Sequence, residues 1–238
     1  MAVGLLEVSG VFRAEVERCD AVLEPLTGWT ATQVLRQEVG APGLVGSQVI
    51  QPVLWAVMVG LAAVWRWAGV EPRAVVGHSQ GEITAACAAG TLSLEDAARI
   101  MVLRSRIITR MDGTGGMAAI NLPAAEAAEL IGSRWPDRLW VAVHAGPESC
   151  VAAGDLDALA ELAGHEGIRA RRVAIDYASH TPHMRPLVPE LEKALADVRP
   201  AEGEVRFCSS VEAAFVEGTS LSAPYWIDNL CRPVLFDE

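Results

Sequence analysis

The chain has 238 residues, half of them apolar (51%) and about a fifth charged (21%). It is therefore long enough for one large domain, or for one domain carrying a smaller insertion, with a sizeable buried core. Its 19 basic residues stand against 30 acidic ones, a formal charge of −11, which argues against nucleic acid as a partner because phosphate neutralisation needs a basic face. Cys19, Cys87, Cys150, Cys208 and Cys231 are scattered and odd in number, with no C-x-x-C pair. That usage fits a reducing compartment and points to the cytosol.

In chain order, Ser9–Glu24 has the period of an amphipathic helix, closed by Pro25 and Gly28, and Thr30 can cap a short helix before the Gly/Pro loop at 40–46. The longest apolar run, Val53–Trp65, has 13 residues. It is too short to span a bilayer and predicts a buried core helix from Pro52 to Ala68, with Pro52 in the first turn. Arg73–Val76 is a short apolar strand running into Gly77-His78-Ser79-Gln80-Gly81 and an alanine-rich helix through Ala89. Ser93 and Asp96 start the next helix, which runs to about Met111.

Beyond residue 116 the periodicity changes. Strands are expected at 117–122, 139–144, 149–153 and 169–175, and helices at 123–131 and 156–166. That β-α-β-β-α-β order is the order of a ferredoxin-like unit. The chain thus divides into a larger α/β part, residues 1–115 and 176–238, and an inserted smaller part, residues 116–175. A helix over 186–197, a strand over 205–209 and a closing segment with Trp226, Asn229 and Phe236 complete the larger part.

Gly77-His78-Ser79-Gln80-Gly81 fits G-x-S-x-G with a strand before it and a helix after it. A sharp strand-to-helix turn exposes the serine hydroxyl, and the Gln80 amide at the helix N-terminus can face a developing oxyanion. Such a nucleophile needs a base. Of the five histidines, His78 is a pocket-wall residue, His165 lies among helix charges and His144 ends a strand. His180 and His183 follow the insertion where the chain re-enters the larger part, and local reasoning leaves both open. No carboxylate stands out as a third member; Asp176 and a backbone carbonyl are both possible orienters. Arg104 falls on the apolar stripe of its helix, among Ala97, Ile100, Ile108 and Met111. There a guanidinium without a partner is costly, so it makes an internal ion pair, snorkels to solvent, or holds a substrate carboxylate with two prongs.

Taken together, the elbow, the insertion, the stripe arginine and Tyr177-Ala-Ser-His180 resemble the acyltransferase domain of modular type I polyketide synthases, in the malonyl-CoA:acyl-carrier-protein transacylase family. Gln51-Pro52-Val-Leu, Val76–Glu82, Ala85-Ala-Cys, Leu92–Ala98, Leu103-Arg-Ser-Arg106 and Pro224-Tyr-Trp226 are similar to family blocks along nearly the whole chain. The resemblance implies an α/β-hydrolase-like core with an inserted ferredoxin-like subdomain. It implies a Ser79 nucleophile, His180 as the base, Arg104 on the extender carboxylate, the Gln80 amide in the oxyanion hole, and His78, Gln51, Tyr177 and Ser179 around the substrate. It implies acyl-CoA as donor, an acyl carrier protein as acceptor, no metal and no bound cofactor. Gln80 and the Tyr177–His180 block are of the type that goes with methylmalonyl-CoA, Ser179 leaving room for an α-methyl group; Gly46–Gln51 matches that type less closely. The carrier is usually acidic, so tethering and a local patch such as Arg169, Arg171 and Arg172 would serve docking. Against the family pattern, the block Phe-Pro-Gly-Gln-Gly is absent, and His144-Ala-Gly-Pro147 replaces Asn-Gly-Pro. The terminal segment whose carbonyl orients the histidine is also expected to be missing, as in a domain trimmed at both ends. The alternatives are a serine hydrolase or thioesterase on the same elbow, and a structural fragment of a synthase.

Overall fold

The computed structural model describes residues 2–238. Helices α1 (Ala2–Val8), α2 (Gly10–Thr27), α3 (Ala31–Arg36) and α4 (Ser47–Trp67) come first. Ser9 caps α2 by accepting from the Phe12 amide at 3.2 Å, and Gly28 ends it in the left-handed region at φ 81°. Pro25 does not end α2 but lies inside its last turn. Thr30 and Gln33 cap α3 reciprocally, at 3.1 and 3.0 Å.

Helix α4 begins five residues before its expected start, so Pro52 sits in the helix interior instead of its first turn. The chain turns at Gly46 (φ 74°), whose carbonyl accepts from the Val49 and Ile50 amides. At 21 residues α4 is long and apolar enough to cross a membrane by length and composition, which the 13-residue run alone did not suggest. One face of it, with Val53, Trp55 and Ala56, is buried in the main core.

Strand β1 (Ala74–Val76) leads through the elbow into α5 (Gly81–Ala89), and α6 (Leu94–Ile108) tightens into a 3-10 turn at Thr109–Met111. The insertion follows as β2 (Gly116–Ile120), α7 (Ala124–Arg134), β3 (Leu139–Gly146), β4 (Ser149–Gly154), α8 (Leu156–Ala163) and β5 (Ala170–Arg172). Strand β5 is shorter than expected: its pairing with β2 ends at Arg172, the Val173 amide makes a last contact with the Met117 carbonyl at 2.9 Å, and the chain then leaves towards the larger part. A 3-10 stretch (Pro182–Leu187), α9 (Val188–Leu195), β6 (Arg206–Ser209), β7 (Ala214–Val216), α10 (Ala223–Cys231) and β8 (Val234–Leu235) close the chain.

Two sheets result. In the larger part β1 pairs in parallel with β6, and β6 antiparallel with β7. In the insertion the order is β5-β2-β4-β3 with every neighbour antiparallel, the ferredoxin-like arrangement. Strand β8, from the end of the chain, adds in parallel to the outer edge of β3. Each part has its own apolar core, the larger around Trp55, Phe207 and Trp226, the smaller around Ile120, Trp135 and Leu162. Between them Met117, Ala142, Val143 and Ala153 of the inserted sheet pack on Ala178 and Val234, and the cavity described next opens beside that seam.

Candidate active site

The elbow is built by two backbone demands. A Cβ on Gly77 would lie 2.2 Å from the Glu82 amide nitrogen, so only glycine permits the strand to meet the helix that closely. Ser79 stands in the left-handed region at φ 55°, a conformation that costs a non-glycine residue about 1–2 kcal/mol. Gly81, in contrast, has nothing within 4 Å of its would-be Cβ. The first turn of α5 closes with the Glu82 amide donating to the Ser79 carbonyl at 3.0 Å.

His180 lies 2.8 Å from this serine, Nε2 to Oγ. It too has a positive φ, 62°, and its amide donates to the Leu230 carbonyl at 2.9 Å. Its Nδ1 is 3.1 Å from the Arg232 carbonyl. A carbonyl only accepts, so Nδ1 carries the proton and the Nε2 lone pair faces the hydroxyl. The orienting carbonyl expected to be missing is therefore present on Arg232, one residue past α10. Pro233 accounts for it: the residue before a proline is pushed out of the helical region, and Arg232 is extended at φ −98°, ψ 156°. Burial first, and then the nearby Arg104 charge, push His180 down to about 3, so the resting imidazole is neutral.

Arg104 is 2% exposed on α6. Its Nε and Nη1 atoms have no hydrogen-bond partner among the described residues; it makes no ion pair and does not snorkel. A cavity of about 240 Å³ is lined by Ser79, Gln80, His78, Gln51, Arg104, Tyr177, Ser179 and His180, which brings together the eight residues that the family resemblance implies for the site. The Tyr177 hydroxyl is 3.0 Å from Ser47 Oγ and accepts from Gln51 Nε2 at 3.4 Å, tying the cavity wall to the first turns of α4. The Ser179 hydroxyl donates to Met117 Sδ at 3.3 Å. The His78 ring packs on Phe236, centroids 5.2 Å apart. A wider groove of about 680 Å³ shares Gln51, Gln80 and Tyr177 and extends to Ser47, Asp112 and Arg172.

His183 is not in the cavity; its Nε2 faces Asp155 at 3.4 Å and its ring meets Trp140. His144 pairs with Glu238, and Asp176 uses its carbonyl to accept from Gly113. Sequence reasoning missed Ser47, Met117, Glu82, Asn229 and Arg232. Of these only Arg232 carried a local signal, the following proline.

The acyl transferase domain family model matches residues 1–238. The chain belongs to that family. This acyltransferase domain is similar over its full length to erythronolide synthase EryA2 of Saccharopolyspora erythraea, 47% identical over 241 residues. It is likewise 46% identical over 240 residues to the spectinabilin polyketide synthase system protein NorA' of Streptomyces orinoci. It spans 7% of the length of each. The solved acyltransferase domain from module 8 of the salinomycin polyketide synthase superposes with a TM-score of 0.96 at 47% identity, over 99% of this chain and 56% of that one. The acyltransferase is of the modular polyketide synthase type.

Proposed function

We propose that this acyltransferase loads a malonyl-type extender unit, methylmalonyl in preference to malonyl, from coenzyme A onto the phosphopantetheine thiol of an acyl carrier protein in the cytoplasm. The observation that carries the reading is the 2.8 Å Ser79–His180 contact in a cavity that also holds a buried guanidinium with unpartnered nitrogens. His180 Nε2 takes the Oγ proton as Ser79 attacks the thioester carbonyl, and the oxyanion is met by the Gln80 amide. The coenzyme A sulfur leaves and receives that proton, giving an acyl-serine. The carrier thiol then passes its proton to His180 as its sulfur attacks the acyl-serine carbonyl, and Ser79 leaves reprotonated.

Arg104 gives the site its demand for a carboxylate, since an anion in the cavity would pair with a charge that otherwise lies unmatched at depth. Gln51, Tyr177 and His78 shape the wall, and the space beside the small Ser179 takes the α-methyl. A single methyl is worth about 1–3 kcal/mol of discrimination. The two parts, residues 1–115 with 176–238 and residues 116–175, are taken as the large and small subdomains on either side of this cleft.

Intact-mass spectrometry of the chain after incubation with methylmalonyl-CoA, with and without a carrier protein, tests the reading. A methylmalonyl adduct on Ser79 that passes to the carrier is expected. Free methylmalonate without transfer would make it a hydrolase, and no adduct would make it a structural part. Malonyl-CoA winning a direct competition would overturn the preference.

A further inference from the structure

Glu82, the second residue of α5, is fully buried. A carboxylate at that depth costs several kcal/mol unless its oxygens are satisfied. No basic side chain among the described residues pairs with it; instead three neutral donors converge. Oε1 accepts from the Ser210 amide at 2.5 Å, and Oε2 from the Tyr225 hydroxyl and Asn229 Nδ2, both at 2.7 Å. Tyr225 and Asn229 are four residues apart on α10, so one face of that helix is fastened to the carboxylate.

The same Asn229 amide also donates to the Ser79 carbonyl at 3.1 Å. One residue on, the Leu230 carbonyl holds the His180 main chain, and the Arg232 carbonyl faces the His180 ring. A single helix end therefore touches the backbone of the serine and both the backbone and the imidazole of the histidine. Both residues have positive φ, so neither conformation persists unless the surroundings over-determine it.

We propose that Glu82 is a positioning residue for the Ser79–His180 pair: by gripping Tyr225 and Asn229 it fixes the C-terminal turn of α10, and that turn sets the distance and aim of both reacting side chains. The inference rests on reading Ser79 as nucleophile and His180 as base. It assigns a task to a buried charge that the transfer steps do not otherwise use.

The test uses the whole chain and two readouts, acylation by methylmalonyl-CoA and the rate of Ser79 labelling by a small fluorophosphonate, with thermal melts alongside. Glu82→Gln keeps the shape but sets an amide donor against a donor in either orientation, the Ser210 amide or the Tyr225–Asn229 pair. It is expected to lower kcat and the labelling rate about 10- to 100-fold with KM changed less than about twofold, as misplacement of reacting groups does. Asn229→Ala is expected to do the same, and the double variant to be scarcely slower than either, because both break one chain of contacts. Tyr225→Phe keeps its ring against Phe207 and Trp226 and is expected to slow both readouts by a smaller factor. A merely structural Glu82 predicts lower melting temperatures, unchanged rates per folded molecule and multiplying effects. That result overturns the proposal, as do unchanged rates in both Asn229→Ala and Tyr225→Phe should Glu82→Gln not fold. If the unmutated chain reacts with the fluorophosphonate but not with any acyl-CoA, the proposed function fails while the labelling rates still judge Glu82. If Ser79 reacts with neither, both fall.

Discussion

Ser79 and His180 face each other from two left-handed residues, so their contact is held by the surrounding backbone and not by side-chain choice alone. Ser79→Ala is expected to leave no acyl adduct while changing stability by no more than about 0.5 kcal/mol, since the hydroxyl packs little; intact mass and a thermal melt check this together. His180→Ala should abolish loading, whereas His183→Ala should retain most of it, because His183 faces Asp155 away from the cavity. The protonation of His180 supplies a further expectation. Burial and the Arg104 charge hold it near 3 when folded, against 6.5 when free, so between those values the unfolded chain binds a proton that the folded one does not. Stability is therefore expected to fall as pH drops from about 6.5 towards 3, and melts of His180→Ala should lose part of that slope. Removing the neighbouring cation raises the base, so in Arg104→Ala the acid limb of fluorophosphonate labelling should move to higher pH. The same variant should lose most malonyl-type acylation and gain relative activity with propionyl-CoA. A uniformly inactive, strongly destabilised Arg104→Ala would instead mark the arginine as structural. That Arg104 lies on the apolar stripe was legible from its place on the helical wheel, whereas its lack of a partner there was not. That His180 and not His183 meets the serine was not legible from local pattern, since both follow the insertion; it came from the family resemblance, and the structure places His180 alone at the serine.

At the scale of elements, the elbow is the part most completely written in local sequence, and its two glycines are not equivalent. Gly77→Ala drives a Cβ into the backbone of α5 and is expected to cost more than about 4 kcal/mol or prevent folding. Gly81→Ala meets open space at the head of the same helix and should be neutral or stabilising by up to about 1 kcal/mol. Chemical denaturation of the two variants side by side checks the contrast. Helix α10 was the opposite case. Its contacts with Glu82 and Ser79 join residues 143 to 150 positions apart, and nothing in the apolar pattern of 223–231 announces them. The start of α4 is not legible in the sequence because Gly46 turns the chain by its backbone, with no side-chain cap to read, and the helix runs through Pro52, where a boundary is expected.

For the whole molecule, the strand and helix order of the insertion was legible because each element is short, periodic and closed by its own turn; the pairing of β8 was not, since a two-residue strand has no period. The net charge of −11 bears on partners more than on folding. An acidic carrier would be repelled by the molecule as a whole, leaving local arginines to do the docking. Arg171 and Arg172 end β5 on the outer edge of the inserted sheet, and Arg172 lines the wider groove. Arg171→Glu is expected to raise the KM for the carrier several-fold and leave self-acylation by methylmalonyl-CoA unchanged, as steady-state assays of the two half-reactions would show.

The route of the last few residues links the two parts mechanically. Arg232 gives its carbonyl to the imidazole, and two residues later Val234 is paired with β3, while the Leu235 amide donates to the Ser210 carbonyl at 2.6 Å. The smaller part is thus no freely swinging flap. Rocking it outward to widen the cleft would have to strip β8 from its sheet or drag the carbonyl off the histidine. The strand is in this sense a clutch: any parting of the halves would cost the base its aim at the moment water could enter, because the same short stretch holds the imidazole and the inserted sheet.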